Sequence, residues 1–216
     1  MSADDASQTT VDRFLDGRLA IEQPAKGRHR AGLDALLLAA TVDEAATRRL
    51  VDLGAGVGTA GLAAAIRAPD LSVRLAERDS EALRLATANI ARNGLAARVS
   101  VVEVDLLGRA REREAALPRE TAEQVICNPP FWRAGEVRSS PRPARAAAHV
   151  LGDGGLDDWV RVAAATLTPH GRLSLIFRGD GLDEILAACA GRFGALSIRP
   201  VHPRAGEPAH RLLVGA

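Results

Sequence analysis

An open α/β sheet with helices on both faces is the fold this sequence predicts, and three observations predict it. A short apolar run, Leu50-Val51-Asp52-Leu53, feeds a glycine cluster, Gly54-Ala55-Gly56-Val57-Gly58, and then a helical pattern over 59–67. Strand-like runs at 72–77, 99–104, 125–127 and 172–177 alternate with helical stretches at 80–92, 156–167 and 182–193, the signature of βαβ units in a doubly wound, mostly parallel sheet. Two closing strand-like runs, 195–201 and 209–214, have no helix between them. A connection that short predicts an antiparallel pair at one end of the sheet.

A chain of 216 residues, 47% of them hydrophobic, has the material for one full core. The expected organisation is a flexible tail over 1–12 and a single domain over 13–216, of which 13–48 form a hairpin and helix extension. The net charge of +1 carries no global signature of nucleic-acid binding, and Lys26 is the only lysine among the cations. Cys127 and Cys189 are too few for a disulfide scaffold, and no CxxC pair or His/Cys cluster suggests a metal. The N-terminus lacks an apolar leader core, and no run of about 18 apolar residues could span a membrane. A cytoplasmic protein is expected.

Taken in order, Leu15, Leu19 and Ile21 around Asp16-Gly17 predict a short hairpin over 13–23. Residues 24–32 read as a basic, glycine-containing loop; it is either a solvated turn or a lip facing phosphate or substrate through Lys26, Arg28 and Arg30. An apolar helix carrying Asp34 follows over 33–40. Gly54 and Gly56 allow a tight turn and close approach of a ligand to the backbone, and the next helix offers free N–H groups at its start. The spacing is GxGxG rather than the GxGxxG of a dinucleotide site. Glu77 ends the second strand about one βα unit beyond the glycines, where an acid can accept from ribose hydroxyls. Ser80 is the expected cap of the 80–92 helix and Asn93-Gly94 its stop. Asp105-Leu106 ends the third strand, and Asp105 is either an adenine partner or a plain surface acid. Residues 109–120, charged in both signs, read as a solvated helical turn or loop.

The run Val125-Ile126-Cys127 is stopped by Asn128-Pro129-Pro130, because proline cannot donate to a sheet ladder and pushes its predecessor into extended backbone. Phe131 and Trp132 follow directly, in a chain with only 3% aromatic residues. The long segment 133–155 carries Arg133, Arg138, Arg142, Arg145 and His149, and loops of that length are usually functional or mobile. Ligands of open α/β sheets sit outside the carboxyl ends of the strands. The glycine turn, Glu77, Asp105 and Asn128 therefore fall on one rim.

This constellation resembles the class I S-adenosylmethionine-dependent methyltransferases, and within them the small methyltransferase group with an Asn-Pro-Pro-aromatic motif. The pattern Gln23-Pro24, Lys26-Gly27, Arg30, Gly32 and Asp34, with Pro203-Arg204-Ala205-Gly206-Glu207-Pro208 near the end, is most similar to the bacterial tRNA(Val) adenine N6-methyltransferase-like branch. The resemblance implies a Rossmann-like sheet of seven strands, mostly parallel, with an antiparallel C-terminal strand. It implies S-adenosyl-L-methionine as cofactor, held by Asp52, Gly54, Ala55, Gly56, Glu77, Arg78, Asp105, Leu106, Arg30, Asp34 and Asn128. It also implies that Asn128 and the Pro129 carbonyl accept hydrogen bonds from a target NH2 group, with Pro130 and Phe131 completing the motif and Phe131 stacking on a planar target. Trp132, Lys26, Arg28, Arg133, Arg145 and Arg204 would face the substrate. The expected acceptor is an adenine N6 in tRNA, an anticodon-loop adenine of a valine tRNA. Alternatives are a protein glutamine amide, an rRNA, DNA or small-molecule amine, or a scaffold that binds cofactor without catalysis. A glutamine methyltransferase would be expected to carry a separate N-terminal helical domain. No membrane or metal partner is expected, and oligomeric state is unreadable.

Overall fold

In the computed structural model, which describes residues 9–25, 32–130, 132–133, 150–151 and 155–216, the chain opens with a hairpin. Its strands are β1 (Thr9–Phe14) and β2 (Leu19–Pro24), followed by helix α1 (Leu33–Ala39). Four strand–helix units come next: β3 (Arg49–Leu53) with α2 (Thr59–Arg67), β4 (Ser72–Glu77) with α3 (Ser80–Arg92), β5 (Val99–Glu103) with α4 (Ala110–Ala116), and β6 (Ala122–Cys127) leading on to α5 (Gly155–Thr166). Two-residue strands β7 (Trp132–Arg133) and β8 (Val150–Leu151) pair with each other between β6 and α5. The chain closes with β9 (Leu167–Arg178), α6 (Leu182–Cys189), β10 (Ser197–Val201) and β11 (Arg211–Gly215).

Seven strands form one sheet in the order β10-β11-β9-β6-β3-β4-β5. The central pairs are parallel, and β11 runs antiparallel to both of its neighbours. Side chains alternate across a strand, and here both faces are buried. Val51, Leu53, Val125, Cys127, Leu175 and Phe177 enter one cluster with Leu156, Trp159 and Val160 of α5 and Ile185 of α6. Leu50, Val73, Leu75, Ile126 and Ile176 enter the other, with Leu38 of α1, Leu62 of α2, Ile90 of α3, and Leu19 and Ile21 of the hairpin. Near-continuous apolar runs are what a strand covered on both faces requires. The predicted seven-stranded, doubly wound architecture is the one observed.

Local boundaries differ in several places, among them the helix expected over 182–193, which ends at Cys189. Strand β1 begins at Thr9, inside the expected tail, because Thr9 to Phe14 pair in register with Leu19 to Pro24 and the Thr9 hydroxyl donates to the Glu22 carboxylate at 2.7 Å. The cap of α3 is Asp79 rather than Ser80, its carboxylate accepting from the Ala82 amide at 2.9 Å. Asn93 and Gly94 end that helix as expected: Gly94 sits at φ 67°, and the Leu95 amide reaches back to the Ile90 carbonyl. Strand β9 begins at Leu167, ahead of the expected run at 172–177, with an irregularity where the pairing jumps from Ala122–Leu167 to Gln124–Arg172 and His170 takes φ 64°.

One buried polar network fixes the base of the sheet. Gln124 is fully buried, and its carbonyl oxygen accepts from the Asp43 amide and the Thr47 hydroxyl while its amide donates to the Thr41 carbonyl and to Ser174 Oγ. It ties the linker after α1 to β6 and β9. Gln124→Met, similar in size but without polar atoms, should lower unfolding free energy by about 2–3 kcal/mol, because it strands buried donors and acceptors; urea denaturation measures this.

Candidate active site

The site is built where β3 stops. The Gly54 and Ala55 amides both donate to the Ala76 carbonyl of β4, at 2.8 and 3.0 Å, which turns the chain over the strand end. Gly54 takes φ 67°, and a Cβ there would stand 2.5 Å from the Trp159 ring. Only glycine fits between the indole and the turn. Gly56, at φ 56°, is the opposite case: a Cβ there would meet nothing within 4 Å. The turn is thus closed at Gly54 and open at Gly56, which leaves bare backbone for a ligand to approach.

Glu77 ends β4 beside this turn, because Leu53 pairs with Ala76. Its Oε2 accepts from the Gly56 amide at 2.9 Å, and its Oε1 from the Arg78 and Asp79 amides at 2.8 and 3.0 Å. The carboxylate is fixed by backbone, and Oε2 keeps acceptor capacity for a further donor. Asp105 follows β5 on the same rim. Its Oδ1 accepts from the Leu107 amide at 3.0 Å and lies 3.8 Å from the Arg78 guanidinium, both side chains more than half exposed. Leu106 is buried in the core.

Asp52 lies beneath the turn, 3% exposed, and its Oδ2 accepts from the Gly61 amide in the first turn of α2 at 2.9 Å. Burial pushes its carboxyl up to about 7, against the lowering effect of the Gly61 hydrogen bond and with a smaller upward contribution from Glu77. Asp34 is paired with Arg211 at the start of β11, Nε to Oδ2 at 2.8 Å. Because Arg211 lies opposite Arg178, three residues past the last β6–β9 pair, this ion pair is also on the carboxyl rim.

On the next strand, Leu53 pairs with Cys127, so Gly54 and Asn128 emerge side by side. Asn128 Oδ1 is buried and has no hydrogen-bond partner. Pro129 is buried and Pro130 half-buried behind it. Burial pushes the Cys127 thiol far up, which removes it as a nucleophile. Two further buried polar atoms without partners belong to the same neighbourhood: Thr59 Oγ1, at the first residue of α2, and Trp159 Nε1, on the ring against Gly54. Buried polar atoms are normally satisfied. Three unsatisfied ones around one strand end, beside open space at Gly56, fit a site that a polar ligand completes.

The described residues therefore bring together the glycine turn, Glu77, Asp105 and Asn128. Phe131, Lys26, Arg28, Arg30 and Arg145, and the side chains of Trp132 and Arg133, lie outside what is described. Arg204 is exposed and pairs with Glu207 at 3.1 Å. Trp159 and Thr59 were not singled out from the sequence. One of only two tryptophans, set on a helix after the motif, was the available signal for the first. A cavity of about 190 Å³ lined by Asp43, Thr47, Glu123, His170 and Arg172 lies at the amino ends of β6 and the regular part of β9, away from this rim. Among the described residues no helix is long and apolar enough to cross a membrane.

Comparison with known proteins finds similarity over most of the chain. Residues 30–188 match the model of the methyltransferase small domain family. A curated protein of Aeromonas hydrophila, named tRNA1(Val) (adenine(37)-N6)-methyltransferase, is 34% identical over 189 residues, covering 86% of this chain and 75% of that protein. A solved structure from Agrobacterium tumefaciens, described as a predicted O-methyltransferase, is 40% identical with a TM-score of 0.69, covering 85% of this chain and 80% of the other. The hMettl16 catalytic domain, solved with an RNA hairpin, shares the fold at a TM-score of 0.64 and 17% identity, covering 99% of this chain and 87% of that one.

A buried carboxyl raised to about 7 has a defined linkage sign. Between about pH 4 and 7 the folded protein holds a proton on Asp52 that the unfolded chain has lost, so this group's contribution to stability falls as pH rises through that window and levels off above it. Asp52→Asn should remove a slope of at most about 1.4 kcal/mol per pH unit. Unfolding free energies of wild type and variant at pH 4 to 8 give the difference curve that checks it.

Proposed function

The chain belongs to the methyltransferase small domain family and is an S-adenosylmethionine-dependent methyltransferase; from that premise we propose that it methylates the exocyclic amine of a nucleic-acid base, the N6 of an adenine in tRNA. The observation that carries the reading is Asn128 Oδ1, a buried acceptor without a partner at the end of β6, abreast of the cofactor turn. The named activity of the Aeromonas relative supports adenine in a valine tRNA, at an anticodon-loop position, as the acceptor.

S-adenosyl-L-methionine supplies an electrophilic methyl group on a sulfonium centre. The residues fit it. The bare backbone at Gly56 accommodates close approach, Glu77 Oε2 has capacity for a ribose hydroxyl, and Asp105 stands at the end of the neighbouring strand for the adenine edge. Asp52 acts from below, fixing the start of α2 rather than touching the ligand.

Toward the acceptor, the chemistry is orientation. An amine conjugated to a ring is a poor nucleophile because its lone pair is delocalised. Asn128 Oδ1 and the Pro129 carbonyl would each accept one of its hydrogens, which favours a pyramidal nitrogen whose lone pair is localised and aimed at the methyl group. Two acceptors match two hydrogens; a hydroxyl acceptor would present only one. Methyl transfer would leave the nitrogen positively charged, and because a ring-conjugated ammonium is a strong acid it gives up one of its two hydrogens to water without a side-chain base of high pKa; holding the two reactants in line supplies most of the acceleration. Phe131 would stack on the base, Trp132 would face the substrate beside it, and Lys26, Arg28, Arg133, Arg145 and Arg204 would meet RNA phosphates through charge-assisted hydrogen bonds.

The test is incubation of the protein with labelled S-adenosylmethionine and either total tRNA or total protein from a strain lacking the gene, followed by nucleoside and peptide mass spectrometry. N6-methyladenosine in tRNA is expected; label only in protein glutamine would overturn the nucleic-acid reading. Asn128→Ala should lower methyl transfer by at least about 100-fold, leave cofactor affinity within twofold, and not lower the melting temperature, since the atom removed has no partner to lose. Glu77→Ala should weaken cofactor binding by about tenfold or more in calorimetry.

A further inference from the structure

Helix α3 holds the N-terminal hairpin by a ladder of two asparagines. Asn93 Oδ1 accepts from the Ala20 amide at 2.9 Å, and its Nδ2 donates to the Ala20 carbonyl at 2.8 Å. One helical turn earlier, Asn89 Oδ1 accepts from the Glu22 amide at 2.7 Å, and its Nδ2 donates to the Glu22 carbonyl at 3.0 Å. The spacing matches: two residues along a strand rise about 6.7 Å and four along a helix about 6 Å. Each side-chain amide thus takes the place of a sheet neighbour on the edge of β2 that faces away from β1.

The two rungs differ in what else they hold. Asn89, fully buried, also donates from Nδ2 to the carbonyl of Val57 at 3.0 Å, whereas the further bonds of Asn93 stay within its own helix and β2. Val57 lies in the glycine turn between Gly56 and Gly58, at φ 56° and 88°. A peptide flanked by two glycines has little conformational preference of its own, so its orientation depends on what holds it. Glu77 holds the turn through the Gly56 amide, and Asn89 holds it through the Val57 carbonyl.

We propose that Asn89 is a positioning residue for the cofactor turn, and that through it cofactor binding and docking of the N-terminal hairpin are thermodynamically linked. The inference rests on the glycine turn being the cofactor site. One side chain is bonded to both the turn and β2, so a ligand that favours this arrangement of the turn also favours this arrangement of the hairpin, and the reverse by reciprocity.

The Asn93 rung is the internal control, because Asn93→Ala removes the same kind of clamp from the same strand without touching the turn. Calorimetry with S-adenosylmethionine should show binding weakened about tenfold in Asn89→Ala and within about twofold of wild type in Asn93→Ala, while both variants lose melting temperature. In the wild type, hydrogen exchange of the Ala20 and Glu22 amides should slow on adding S-adenosylmethionine, and in Asn89→Ala this response should disappear. Unchanged affinity in Asn89→Ala, or equal weakening in both variants, would overturn the proposal. If Asn89→Ala does not fold, the wild-type exchange decides: no slowing of the hairpin amides on ligand addition sinks the linkage. Absence of binding to the wild type would instead overturn the cofactor assignment, and this inference with it.

Discussion

The site depends on the register of three parallel strands. Leu53 is abreast of Ala76 on one side and of Cys127 on the other, so the residues after them, Gly54, Glu77 and Asn128, leave the sheet at spacings of about 4.8 Å. A turn, a fixed carboxylate and an unpartnered amide are brought together by backbone pairing alone, before any contact among their side chains. Both faces of this part of the sheet are buried, so the register is held by packing as well: a one-residue slip would move Val51 and Val125 to the opposite core and point their neighbours the wrong way.

Having placed these groups, the fold leaves some of them unsatisfied. An unpaired buried polar atom costs about 1–3 kcal/mol, and Asn128 Oδ1, Thr59 Oγ1 and Trp159 Nε1 all carry that cost around one strand end. By contrast, two buried amides of the framework are fully employed, Gln124 with four hydrogen bonds and Asn89 with bonds to β2, the glycine turn and Arg92. The contrast separates framework from site. Amides that hold the framework spend their donors and acceptors internally; Asn128 keeps its acceptor desolvated, where it binds a donor more strongly than it would in water.

Much of this was legible in the sequence because the relevant signals are short and physical. The helix at 59–67 and the strand at 72–77 fall at the predicted residues, since glycine on one side and a polar break on the other leave little freedom. The Asn-Pro-Pro stop is equally hard to misread, because the missing N–H groups forbid a longer strand. What was missed depends on tertiary partners. Strand β1 has no fully buried residue, so Thr9 and Thr10 look like tail until β2 is seen beside them. Asp79 and Ser80 are both good caps, and sequence alone does not rank adjacent candidates. Residues 168–171 carry turn chemistry, yet pairing with β6 carries the strand through them. Nothing in a helical pattern distinguishes Asn89 from a surface polar residue until Glu22, Val57 and Arg92 converge on its side chain.

The electrostatics of the rim follow from the same economy. The arginines described near it have carboxylate partners: Arg78 with Asp105, Arg211 with Asp34, Arg204 with Glu207. With a net charge of +1 over 216 residues, long-range attraction contributes little to capturing a polyanion. The two exposed pairs, Arg78–Asp105 and Arg204–Glu207, are each worth roughly 0–1 kcal/mol, so exchanging a carboxylate for a phosphate on the same guanidinium is nearly balanced. Arg211–Asp34, only about a quarter exposed, is more tightly held and belongs to the framework. Under the proposed function, discrimination among acceptors then rests on the short-range match at Asn128. An NH2 group that meets the buried acceptor relieves a cost already present in the free protein, and an acceptor without that group leaves the cost in place.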